Sequence, residues 1–119
     1  MTGYDATMQA LCLLNYTTTD GDADRRQNAP FVRRALPIIN TLLADILPLT
    51  GSTYQPLTIL TENLPLDDTL IMQLFLPGMA MYFAAGEGDG DAYNRFAQEY
   101  MSRRSRVQRP ARRIRDVMP

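Results

Sequence analysis

The chain contains no histidine, no lysine and no tryptophan, and only one cysteine in 119 residues. Without histidine, the commonest general base and the commonest neutral metal ligand are missing. Without lysine, a phosphate-binding P-loop and Schiff-base chemistry are excluded. All twelve cationic side chains are therefore arginine. A single cysteine cannot form an intrachain disulfide, which fits a reducing interior. Cys12 lies in the apolar run "ALCLLNY". A reactive or metal-bound thiolate needs a cation or further ligands close by, so Cys12 is expected to be a buried small hydrophobe. Long hydrophobic runs are also scarce. The longest, "LIMQLFLPGMAMYFAA" at 70–85, contains Gln73 and Pro77-Gly78 and is shorter than the ~20 residues of a membrane span. It reads as a buried core helix of a soluble chain, with no membrane partner.

Hydrophobic residues make up 45% of the chain, enough for one folded domain with a single core. The net charge of −1 conceals a strong asymmetry. Residues 1–94 carry four Arg against eleven acids, whereas residues 95–119 carry eight Arg against two. The pattern is an acidic body with a basic end.

Periodicity predicts an all-α bundle of about four helices, with a short extended segment and a flexible basic C-terminal tail. The expected division is a helical domain over 1–106 and an Arg-rich tail over 107–119. The first helix is expected over about Asp5–Tyr16, with Met8, Leu11, Cys12 and Tyr16 on its inner face and Thr17-Thr18-Thr19-Asp20-Gly21 ending it. The second runs from Pro30 to Leu47, its apolar face built by Ile38/Ile39, Leu42/Leu43 and Ile46/Leu47, with a kink at Pro37. Pro48 and Gly51 end it. Residues 54–60 have strand composition, but Pro56 demotes them to an edge or an extended loop. Asp67 caps the third helix, which is apolar nearly all round and bent at Pro77-Gly78. The fourth begins near Asp89 or Asp91 and reaches about Arg106, with Tyr93, Phe96, Ala97 and Tyr100 on one face. Ile39, Leu42, Leu43, Ile46, Leu74, Phe75 and Phe96 are the expected core.

Two acidic stretches, "DGDAD" at 20–24 and "GEGDGD" at 86–91, invite comparison with a calcium loop. That loop requires acids at positions 1, 3 and 5, glycine at 6 and glutamate at 12. Counting from Asp20, position 6 is Arg25 and position 12 is Phe31; counting from Glu87, they are Ala92 and Gln98. Both fail at the turn and at the bidentate ligand. The second stretch reads instead as an elbow, with Gly86 and Gly88 at positive φ and an Asp capping the next helix. The first reads as a solvated linker.

The stretch from Leu64 to Arg106 resembles the C-terminal half of tailed-phage head–tail connector (adaptor, head-completion) proteins. The similarity lies in the opening Leu64-Pro65-Leu66-Asp67-Asp68, the apolar helix Leu70–Ala85 and the turn Gly88–Asp91. Ala92, Phe96 and Tyr100 complete it. It covers residue types rather than a sharp motif, and Pro77-Gly78 and the basic tail depart from the family pattern. The resemblance implies a non-enzymatic subunit that forms a ring under the portal, bridges portal and tail proteins, and touches DNA only in passing. It places the chain in the virion and the host bacterial cytoplasm.

The residues themselves favour no catalytic site, cofactor or metal. Candidate partner-binding residues are Arg103, Arg104, Arg106, Arg109, Arg112, Arg113, Ile114 and Arg115. Arginine pairs carboxylates bidentately, and the apolar Val107, Ile114 and Val117 suit a groove. The competing reading is nucleic-acid binding, because "SRRSRVQRPARRIRD" holds seven Arg in fifteen residues. Neither a recognition helix nor interleaved aromatics accompany it.

Overall fold

A computed structural model describes the backbone of residues 1–16 and 25–117, and the side chains of residues 1–16 and 29–107. The described residues form four helices: α1 Gly3–Leu13, α2 Arg25–Ile46, α3 Asp68–Gly86 and α4 Gly90–Val117. Their only β-type pairing is one isolated bridge between Thr2 and Asn63. The fold is all-α, as the periodicity predicts.

α1 begins and ends earlier than expected. Thr2 caps it, its hydroxyl accepting the Asp5 N–H at 3.0 Å. Asn15 stops it by adopting a left-handed φ of 58°. The Tyr16 N–H then reaches Leu11 O and the Asn15 N–H reaches Cys12 O, which closes the last turn before the threonines. The buried face is also rotated from the expected one. Gly3, Ala6, Thr7, Ala10 and Leu11 are inside, while Cys12 is exposed. Small side chains let α1 lie close against α2 and α3, and Cys12 stands about 100° round the helix from Leu11. Thr7 is fully buried, and its hydroxyl is satisfied by Gly3 O at 2.8 Å.

α2 starts at Arg25, ahead of the expected Pro30, and its helical backbone passes through both Pro30 and Pro37 without a break. Ala35, Ile39, Leu42, Leu43 and Ile46 form its buried stripe. A 3₁₀ turn, Leu47–Thr50, follows and ends at Gly51, where φ is 80°.

The segment expected to be extended is a strap rather than a strand. Asn40 of α2 supplies the missing pairing partner: its amide donates to Leu57 O at 3.0 Å, and its oxygen accepts the Leu57 N–H at 2.8 Å. Further along, Glu62 O and Leu60 O accept the Gly3 and Tyr4 N–H groups. These two donors at the start of α1 have no intrahelical partner of their own.

α3 is the central helix and contacts the other three. Asp67 caps it, accepting the Leu70 N–H at 2.7 Å. Just ahead of Pro77 the helix holds a π-turn over Ile71–Phe75, where the Leu76 N–H reaches back to Ile71 O. Seven of the eleven residues in Leu76–Gly86 are buried. Tyr82, expected inside, is 37% exposed. The helix is long and apolar enough to cross a membrane, yet 56% of its apolar window is buried inside the bundle. A Cβ on Gly78 would stand 2.6 Å from Leu42 and 3.0 Å from the Tyr100 ring. Glycine is what lets α2 and α4 close on α3 there.

The elbow reading of 86–91 holds at Gly88 and Asp89 but not at Gly86. Gly88 takes φ 70°, and the Asp89 N–H bonds Ala84 O while the Gly88 N–H bonds Ala85 O. That arrangement is a Schellman closure, which needs a residue tolerant of positive φ. Asp89 in the same position starts α4, its carboxylate accepting the Ala92 N–H at 3.3 Å. Gly86 does not take positive φ.

α4 presents Phe96 and Tyr100 to the core, each 5% exposed. Tyr93 and Met101, expected on or beside that face, are 40% and 60% exposed. The helical backbone runs to Val117, past the expected end near Arg106 and through Pro110. All seven expected core residues are buried, none more than 5% exposed.

Candidate functional site

The Arg-rich half of α4 begins inside the bundle. Arg104 reaches α2 and grips Asp45 with two hydrogen bonds, from Nε at 2.8 Å and from Nη2 at 3.0 Å. Tyr100, one turn earlier, donates its hydroxyl to the same carboxylate at 2.5 Å. The Arg104 hydrogen bond holds the Asp45 carboxyl below its ordinary value, helped by Tyr100 and opposed by burial. Burial and the adjacent carboxylate push the Tyr100 phenol well above its usual range. The three groups tie α4 to α2.

Arg103 has a different task. Proline lacks an N–H, so Pro77 cannot donate to the carbonyl four residues back, which is Gln73 O. Arg103 fills that place, donating to Gln73 O at 2.7 Å while also contacting Glu99 at 3.1 Å. A carbonyl left unpaired in one helix is thereby met by a cation from the next. Beside it lies a cleft of about 400 Å³ lined by Gln73, Arg103, Arg106 and Val107.

Of the eight candidate partner-binding residues, Arg103 and Arg104 thus have partners within the chain. Arg106 is exposed at the cleft. Arg109, Arg112, Arg113, Ile114 and Arg115 fall on the helical backbone of α4, and their side chains lie outside the described residues.

A second cluster sits at the opposite end of α4, around the elbow. Tyr16 and Phe31 stack at 5.6 Å between ring centroids, and Phe31 meets Phe83 edge-on at 5.5 Å. The Tyr16 hydroxyl donates to Asp89 at 2.8 Å. Burial, reinforced by that carboxylate, pushes the Tyr16 phenol up to about 12. Arg34 lies over the Phe31 ring at 5.1 Å and pairs with Glu87 at 2.7 Å. Tyr16, Phe31, Glu87 and Asp89 line an open cleft of about 400 Å³. Two ring faces and two carboxylates suit a planar cation, and Arg34 already uses that chemistry.

Among the described residues, no group of three or more His, Cys, Asp or Glu side chains is placed to hold a metal ion. The acidic stretch 20–24 lies outside the described residues. Sequence reasoning missed Asp45, Arg34 and Asn40, because each acts on a partner distant in the chain. The one available signal was that Asn40 and Asp45 are polar within the mainly apolar second half of α2. No known family model, curated protein or solved structure matches this chain.

Proposed function

We propose that the chain is a non-enzymatic structural subunit of a tailed-phage or prophage virion, a head–tail connector that assembles as a ring between portal and tail. The observation that carries this reading is the double use of the α3–α4 hairpin, the stretch bearing the resemblance. Its inner side fills the core with Phe75, Phe83, Phe96 and Tyr100. Its outer side leaves Met72, Tyr82, Tyr93 and Met101 between 37% and 60% exposed. Large apolar side chains on a surface are contact area for other proteins, and methionine adapts to varied partners. Among the groups with displaced pKa values, Asp45, Tyr100 and Arg104 bond one another between α2 and α4, and Tyr16 bonds Asp89 at the elbow. Native mass spectrometry and negative-stain microscopy of the purified chain test the reading. Closed rings that bind a portal assembly are expected; a chain that stays monomeric at all concentrations and ignores the portal would sink it.

A second reading, nucleic-acid binding, is favoured by the Arg excess of residues 95–119 and by Arg103 and Arg106 at one cleft. It requires DNA affinity that falls steeply with salt. A titration of duplex and single-stranded DNA at two ionic strengths separates the two readings.

A further inference from the structure

The cleft of about 400 Å³ between α3 and α4 is walled by both helices. Arg103, Arg106 and Val107 of α4 fall within about 100° of one another round the helix axis, so one face presents two guanidinium groups and an apolar wall. Gln73 of α3 is exposed across from them. Among the described residues, no acidic side chain lines the cleft.

The two arginines are held differently. Arg103 is fixed in place, donating to Gln73 O at 2.7 Å and to Glu99 at 3.1 Å. A guanidinium carries five N–H donors, so its orientation is set while most of its donors stay open. The ion pairs among the described residues use Arg34, Arg103 and Arg104, which leaves Arg106 unpaired there. Glu99 is too distant to serve it: seven residues earlier on the same helix, it lies roughly 10 Å back along the axis. Like charges at i and i+3 have Cβ atoms about 5–6 Å apart and repel each other. An anion seated between them turns that repulsion into two attractions.

We infer that this cleft binds one phosphate group, gripped by Arg106 and by the open N–H donors of Arg103, with the Gln73 side-chain amide donating from α3. Donors converging from two helices suit a tetrahedral anion, and the guanidinium fork matches a pair of phosphate oxygens. Because Arg103 is already oriented by its two bonds within the chain, little side-chain freedom is lost when the anion enters. A bare phosphate fills only part of the cleft, and Val107 offers an apolar wall to whatever carries the group. Two sources share this chemistry: a free phosphate or monoester, and the backbone of a single-stranded nucleic acid. The second source rests on the nucleic-acid reading above; the site itself does not.

The test uses the full-length chain at constant ionic strength, titrated with inorganic phosphate by calorimetry and with a labelled single-stranded oligonucleotide by fluorescence anisotropy. Arg106→Gln removes one cation from the cleft. Gln73→Glu sets a carboxylate opposite the arginines without touching the backbone carbonyl that Arg103 bonds. Arg95→Gln, at another exposed arginine of α4, removes the same charge away from the cleft and is the control. All three positions are exposed, so circular dichroism should show each variant folded. One site per chain is expected, at least roughly tenfold weaker in R106Q and Q73E and within about twofold of wild type in R95Q. Saturation by inorganic phosphate with that ranking assigns a free phosphate group; saturation by the oligonucleotide alone, with the same ranking, assigns a nucleic-acid backbone. If R106Q and Q73E bind as tightly as wild type, if R95Q weakens binding as much as R106Q, or if wild type binds neither ligand, the inference is wrong. Oligonucleotide affinity that survives both cleft variants would leave the nucleic-acid reading standing on other arginines.

Discussion

At the residue scale, the energetics centre on Asp45. Its carboxylate receives Arg104 through two bonds and Tyr100 through one, so the charged form is favoured in the folded chain. A carboxyl held below its ordinary value of 3.8 stabilises the fold above that pH and loses the contribution as acid protonates it. Acid unfolding of Asp45→Asn, followed by circular dichroism, should therefore show a shallower loss of stability below about pH 4. At neutral pH the same substitution should cost about 1 kcal/mol. The pair is partly exposed, with Asp45 keeping 38% of its side-chain surface, and solvent screens it. Tyr16 offers the opposite sign. Its phenol ionises at about 12 in the folded chain against an ordinary 10, so its contribution holds below pH 10 and fades towards 12. Absorbance titration should find one tyrosine near that value in wild type, missing in Tyr16→Phe. A Tyr16 signal near 10 would mean the Asp89 hydrogen bond is not formed in solution.

The elements show how local chemistry and packing divide the labour. Caps were legible: Asp67 and Asp89 sit at helix starts, where a short acceptor side chain meets free N–H groups. The prolines act differently from one another. Pro30 and Pro37 lie within α2 without ending it, whereas Pro77 follows a π-turn whose freed carbonyl is met by Arg103. Proline forbids one hydrogen bond, and whether a helix survives depends on what satisfies the orphaned oxygen. Gly78 is the tightest point of the hairpin, since any side chain there meets Leu42 and Tyr100. Gly78→Ala should destabilise by ~1–3 kcal/mol through overpacking, measured by urea unfolding. A neutral or stabilising effect would show that α2 and α4 can move apart freely.

For the whole molecule, the central position of α3 governs stability. Phe75 is fully buried, in the helix that touches the other three. Phe75→Ala should cost ~3–5 kcal/mol, a large share of what holds a domain of this size. Denaturant unfolding with a change below about 1 kcal/mol would place Phe75 outside the core. The acidic body and basic end are likewise a property of the whole chain.

What the sequence alone determined is the helical class, the core stripe of α2, the buried third helix and the elbow at Gly88. All of these follow from period, caps and one left-handed turn, which are local in the chain. Tertiary structure decided the rest. It turned α1 onto its small-residue face and exposed Cys12, because close approach to α2 and α3 outweighed bulk. It also assigned Arg103 and Arg104 to intrachain partners, 30 residues away at Gln73 and 59 at Asp45. No spacing in a sequence encodes which distant carbonyl or carboxylate an arginine will find, since that is settled by how the helices cross.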